Sequence, residues 1–276
     1  MRIRVRHLTD YRYSAPVRLG TQRLRLLPRG DGVEVIEARI LINPEPCARQ
    51  ESIDPHGNRV VDAAFDAETD RFVVESRFEV ATPKLAPAPT TPLPLLPWDP
   101  ASLNGHASYF DHSNLDETVR AFAAEIATQS DGEAEVFLAR LNETRFSRTN
   151  RYIRGSGYAQ TPAETLALGA GACRDITVLF MAAARAQGIA SRFVSGYQAR
   201  AATPDGLRHL HAWPEVLLPG TGWRGFEPTH GLPTLDGHVA VCAGPDQRST
   251  MPIEGGFFGT GISSTLKYEV SIEVDD

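Results

Sequence analysis

The sequence predicts an α+β protein: an antiparallel, β-sandwich-like N-terminal module followed by a core that mixes helices with a strand hairpin. Three observations carry this. Residues 1–82 show strand alternation, residues 83–100 are broken by seven prolines, and from Leu115 onward apolar residues recur at helical spacing before alternation returns near His209.

In the first module Arg2, Arg4 and Arg6 alternate with Ile3 and Val5, which puts the arginines on the wet face of a strand. Arg12, Arg18, Arg23, Arg25 and Arg29 extend this basic run, read as a solvated sheet face rather than an anion-binding surface. Val33 to Ile42, Val60 to Phe65 and Arg71 to Ala81 are rich in β-branched and aromatic residues. In the last of them Phe72, Val74, Phe78 and Val80 share one face and Glu75, Arg77 and Glu79 the other, the pattern of half-buried antiparallel strands. Asp54-Pro-His56-Gly-Asn58 has the composition of a tight turn, so His56 is a turn residue and not a ligand.

The proline-rich stretch 83–100 excludes helix and central strand and reads as a linker or an extended strap. It separates a module over 1–82 from a core over 101–276 that includes a C-terminal strand. In the core, Asn114 and Glu117 resemble a capping pair, and Leu115, Val119, Phe122 and Ile126 line one helical face. A second helix is expected over Glu133 to Thr144. Thr161-Pro162-Ala163-Glu164 combines a cap hydroxyl, a first-position proline and a returning glutamate, and Gly169 stops that short helix. A thin loop, Gly169 to Ala172, then leads into an apolar helix from Cys173 to Gly188. Next come a hairpin, His209 to Leu218 and Trp223 to Pro228 about a turn at Pro219 to Gly222, and a last strand over Leu266 to Val274.

A net charge of −6 over 276 residues disfavours a nucleic-acid partner, and no run of about 18 apolar residues points to a membrane. The first thirty residues lack an apolar block followed by a small-residue cleavage site. Cys47, Cys173 and Cys242 are far apart and outside any CxxC pattern, which fits a reducing cytoplasm without a disulfide framework. His209 and His211 find no further ligand at zinc-site spacing, so neither a metal nor another cofactor is expected.

Cys173 is the cysteine placed for chemistry. A thiolate attacks carbonyl carbon, a free thiol is mostly protonated at neutral pH, and a helix N-terminus with a neighbouring histidine favours the ionised form. A carboxylate behind the histidine fixes its tautomer. Candidates lie in one stretch: Cys173, then His209 or His211, then Glu215 or Glu227.

GACRD at 171–175, ARAQGIASRFVSGY at 184–197, HAWPEV at 211–216 and GWRGFEPTHG at 222–231 resemble the transglutaminase-like core of bacterial proteins. HLTDYRYSAPVRLGTQRLRLLPR at 7–29 is similar to the β-rich module preceding that core. The resemblance implies a papain-like fold and a triad that falls on Cys173, His211 and Glu227. Glu227 stands where the family usually has aspartate, and His230 where it has asparagine. The implied activity is acyl transfer through a cysteine thioester, cleaving or transferring peptide or isopeptide amides, with hydrolysis favoured over transamidation. The alternative is a non-catalytic peptide-binding or assembly module on the same fold. Trp213, Trp223 and Tyr197 are candidate substrate-binding residues, and Asp175 is expected to brace the first turn of the Cys173 helix.

The acid assignment makes a geometric demand. Paired residues of a regular antiparallel hairpin have a constant index sum and point to one side, so His211 and Glu227 share a face only if that sum is even. A four-residue turn at Pro219 to Gly222 fails this. A three- or five-residue turn, or a bulge, is therefore expected.

Overall fold

The protein is described by a computed structural model over residues 1–82, 92–99, 106–111, 115–200, 203, 205–234 and 237–275. The alternating N-terminal sequence forms β1 (Arg2–Leu19), beside which lies β6 (Glu68–Ala81), with β3 (Glu34–Asn43) on the other edge of β6. These pair antiparallel in one sheet, in which Ile3 and Val5 are buried while Arg2 and Arg4 are exposed. The exposed arginines meet acids across the strand: Arg4 and Arg6 lie 3.1 Å from Glu79 and Glu75. Arg25 and Arg29 depart from the wet-face expectation. Both are buried, Arg25 donating to Glu254 at 3.0 Å and Arg29 to Asp31 at 2.7 Å.

A second sheet holds β2 (Gln22–Leu24), β4 (Ala48–Ile53) and β5 (Arg59–Ala64), and it packs on the first through Leu24, Leu26, Val61, Phe72 and Val74. Two sheets sharing one apolar layer make a sandwich. The turn before β5 forms as expected, with Gly57 at φ +80° and His56 Nδ1 2.9 Å from the Tyr109 hydroxyl.

The described part of the proline-rich stretch, 92–99, is a strap across the core. Trp98 is buried against Phe180 and its backbone N–H donates to the Gln187 carbonyl at 3.0 Å. A Cβ on Gly188 (φ +75°) would lie 2.0 Å from the Trp98 carbonyl oxygen, so only glycine permits this docking.

Helices α1 (Glu117–Gln129) and α2 (Ala134–Arg148) follow. Asn114 lies outside the described residues, and Asp116 caps α1 by accepting from the Thr118 N–H. Short strands β7 (Asn150–Arg151) and β8 (Ala170–Gly171) pair in parallel on either side of α3 (Pro162–Leu168). The capping box of Thr161 and Glu164 is present, and Gly169 ends α3 in the left-handed region. Helix α4 (Cys173–Ala186) lies against a sheet built from β9 (Ser191–Gln198), β10 (His211–Leu218), β11 (Gly222–Glu227), β12 (Leu232–Pro233) and β13 (His238–Gly244), in the order β12-β11-β10-β9-β13. Among the described residues no helix is long and apolar enough to cross a membrane.

The chain then returns to the first module. β14 (Ile253–Glu254) joins β2, β15 (Phe257–Phe258) joins the end of β1, and β16 (Ser264–Asp275) pairs with β1 from Arg2 to Tyr13. The strand grouped with the core in sequence thus completes the N-terminal sheet. Modules and core share an interface in which Ile3, Val5, Phe78 and Val80 pack on Tyr197, Val239 and Val241. Asn58, buried there, donates to the Ala243 carbonyl at 2.9 Å and accepts its N–H at 2.7 Å.

Candidate active site

Cys173 opens α4, so its side chain lies in the first turn, where the helix dipole favours negative charge. Asp175 holds that turn. Its fully buried carboxylate accepts from the N–H groups of Ala172 (2.7 Å) and Gln160 (2.8 Å) and from Arg154 (2.7 Å). The glycine before the cysteine serves the same brace: a Cβ on Gly171 would lie 2.9 Å from the Asp175 Cβ.

The hairpin obeys the parity demand. Glu215 pairs with Gly225 and Leu218 with Gly222, leaving a three-residue turn at 219–221 and an even index sum. Continuing this register sets Glu227 opposite Trp213 and diagonal to His211 on the same face, a separation that a long side chain can span. Glu227 Oε2 lies 2.7 Å from His211 Nε2, and the thiol of Cys173 is hydrogen-bonded to the same imidazole. The other candidates are engaged elsewhere: His209 with Asp205 (2.8 Å) and the Tyr268 hydroxyl (2.9 Å), Glu215 with Arg192.

Charge follows this geometry. Burial opposes ionisation of Cys173, but the hydrogen bond and charge of His211, the Ala212 N–H and Arg174 outweigh it and hold the thiol below its ordinary value. Burial would likewise disfavour the imidazolium, yet the Glu227 charge and the contact with Cys173 raise His211 to about 10. Glu227 is 0 % exposed, and despite that burial its histidine partners keep it well below the usual carboxylate range. The arrangement favours an ionised thiol beside a protonated imidazole, backed by a buried carboxylate.

Two further histidines bind Glu227 beyond the candidate triad. His238, from β13, approaches Glu227 Oε2 at 3.0 Å, and His230 approaches Oε1 at 3.4 Å. Thr229 adds a backbone N–H to Oε1 at 3.1 Å. Of them, only the unusual His230 stood out in the motif itself.

A cavity of about 700 Å³ opens over Cys173 and His211. Its walls come from the core loop 151–157 and from the sandwich, including His7, Tyr11, Leu266 and Tyr268. The expected substrate-binding aromatics lie outside this lining. Trp213 is 2 % exposed, packed on Val194 and Ala243 with its ring stacked near His211; Tyr197 is 0 % exposed and bonds His7 at 2.7 Å; Trp223 lies beneath Arg192 and beside Tyr109. Inward packing on a covered sheet takes Trp213 and Tyr197 out of the cavity, and half-buried Trp223 faces Arg192 and Tyr109 instead. Of the remaining cysteines, Cys242 is buried and Cys47 is exposed.

Residues 3–81 match the bacterial transglutaminase-like N-terminal region, and residues 118–228 match the transglutaminase-like superfamily. An uncharacterized protein of Mycobacterium bovis is 30 % identical over 99 % of this chain and 92 % of its own length. One of Mycobacterium leprae is 26 % identical over 94 % of each. The fold is similar to that of a candidate cysteine protease from Cytophaga hutchinsonii, with a TM-score of 0.71 and 19 % identity over 100 % of this chain and 92 % of the other. With the N-terminal β-rich module and the core both matched in order, the chain belongs to the transglutaminase-like superfamily.

Proposed function

We propose that the protein is a thiol-dependent amidase or peptidase with Cys173 as nucleophile, His211 as acid and base, and Glu227 as the group that orients and charges the imidazole. The observation that carries this reading is the continuous chain from thiol to His211 to a carboxylate fully buried 2.7 Å away. The Cys173 thiolate adds to the amide carbonyl, forming a C–S bond as the carbonyl electrons move to oxygen. Collapse of the adduct breaks the C–N bond, and the leaving amine takes a proton from His211. Water, deprotonated by the now neutral His211, then attacks the thioester and releases carboxylate and thiol. The backbone N–H of Cys173, at the start of α4, is the group assigned to receive the developing oxyanion.

Two features favour water over an amine as acceptor. Water is present at about 55 M, and no carboxylate lines the cavity, among the described residues, to receive a lysine-like ammonium. The similarity to a protein named as a candidate cysteine protease agrees with a peptide or protein substrate. A reducing compartment such as the cytoplasm would keep the three free cysteines as thiols. A library of peptide amides, incubated with and without added amine, tests the reading. Cleavage that requires Cys173 and proceeds without amine is expected. Amine-dependent product alone would make the protein a transamidase, and binding without turnover would leave the assembly-module alternative.

A further inference from the structure

We infer that the substrate presented to Cys173 is anionic: a peptide with a glutamate- or aspartate-type carboxylate close to the scissile amide. This rests on the acyl-transfer reading above and names its substrate class. The walls of the cavity carry Arg151, Arg154, Arg174 and Arg208, and among the described residues no aspartate or glutamate lines it. The acids bonded to the wall residues Arg154, His209 and His211 lie outside the lining and are occupied. Asp175 pairs with Arg154, Asp205 with His209, and Glu227 with His211 and His238. His7, another wall residue, is neutral at physiological pH because burial lowers it to about 4.

Arg151 and Arg174 therefore keep their charge without an ion-pair partner among the described residues. The terminal nitrogens of Arg174 donate to the carbonyls of Arg154 (2.7 Å) and Ser156, which pins the guanidinium to the 151–157 wall beside the nucleophile. Arg151 donates to the Phe146 carbonyl at 3.2 Å and lies 4.5 Å over the Phe146 ring. Carbonyl and ring contacts hold these cations in place without cancelling them. A cavity with low-dielectric walls and one sign of charge concentrates ligands of the opposite sign. One imidazolium stands against the thiolate and the Glu227 carboxylate, which leaves the triad one negative charge against the two positive charges of Arg151 and Arg174, so the arginines set the sign.

Alkylation reads this potential directly. Iodoacetate and iodoacetamide both form a C–S bond as iodide leaves, and they differ in charge. Exposed Cys47, on the same folded full-length chain, is the internal reference. The ratio of iodoacetate to iodoacetamide rates should be about tenfold higher at Cys173 than at Cys47, as expected for two cations lining the same cavity and partly screened by salt. Arg151→Gln and Arg174→Gln should each lower the Cys173 ratio about threefold, and Arg174→Lys should retain it. Equal ratios at the two cysteines would overturn the inference. So would an excess at Cys173 that survives both glutamine variants, since the His211 imidazolium would then account for it. In turnover, peptide amides matched except for Glu against Gln should favour Glu in kcat/KM, and equality or reversal would also overturn it. If no amide is cleaved while the arginine-dependent ratio holds, the acyl-transfer reading fails and the anion preference of the cavity stands.

Discussion

Glu227→Gln keeps the shape of a fully buried side chain and removes its charge. In the native protein the carboxylate lies 2.7 Å from His211 Nε2, and its charge is the largest influence raising the imidazole to about 10. Two unit charges about 4 Å apart at an effective dielectric near 20 interact by about 4 kcal/mol, or about three pKa units. The imidazole of the variant should therefore lose its proton near pH 7 instead of near 10. The thiolate–imidazolium pair exists between the Cys173 pKa, its acid limit, and the His211 pKa, its alkaline limit. Lowering the second closes the window from the alkaline side and also lets the Cys173 pKa rise, because a cation beside it is gone. Turnover near pH 8 should fall about 10²–10³-fold. The assay needs no substrate: the pH dependence of Cys173 alkylation by iodoacetamide, followed by peptide mass spectrometry, reports the ion pair. In the native protein alkylation should persist well below pH 8, and in the variant it should follow an ordinary thiol titration. An unchanged profile in the variant would refute the role assigned to Glu227.

Other consequences are open to measurement. Cys173→Ala should abolish amide cleavage with little change in melting temperature, while Cys47→Ala and Cys242→Ala should keep activity; comparable loss in either, with normal stability, would move the site. The stability difference between the native protein and Glu227→Gln should be greatest at about pH 4.5–6.5. There the depressed carboxylate is ionised and the raised imidazole protonated; the contribution is lost as pH falls through the folded Glu227 value or rises through that of His211. Denaturant melts across pH would show this, and a flat difference would contradict the charge assignment. Asp175→Ala removes the acceptor of two backbone N–H groups and the partner of Arg154, and should cost about 3 kcal/mol in urea unfolding. A cost below about 0.5 kcal/mol, the usual range of surface changes, would show that the brace is dispensable. Gly188→Ala should lower the melting temperature by displacing Trp98 from the core, with the alkylation profile of Cys173 largely kept.

Much of the site was legible because its signals are local. A hydroxyl, a proline and a glutamate at Thr161, Pro162 and Glu164 define a helix start wherever they occur, and hairpin parity follows from strand geometry alone. The cluster around Glu227 was not legible in the same way. His238 reaches it from β13, across the far side of the sheet, and no spacing along the chain encodes that approach. Trp213 and Tyr197 misled for a related reason: an aromatic beside a catalytic motif looks like a substrate wall until the tertiary packing shows both faces of the sheet covered. The pairing of β16 with β1 joins residues more than 250 positions apart, and alternation predicts the strands without naming partners. The basic wall was hidden because its arginines fall on a loop and a helix start, with no common period.

The central claim is that acyl transfer passes through a covalent bond to Cys173. The most direct test is acid quenching during turnover of a peptide amide or its more reactive ester, followed by mass measurement of the Cys173 peptide. The account predicts an added acyl mass on Cys173 that disappears on brief treatment with hydroxylamine, and that accumulates when the ester makes acylation fast. Turnover that continues in Cys173→Ala, or an acyl group found on another residue, would contradict it.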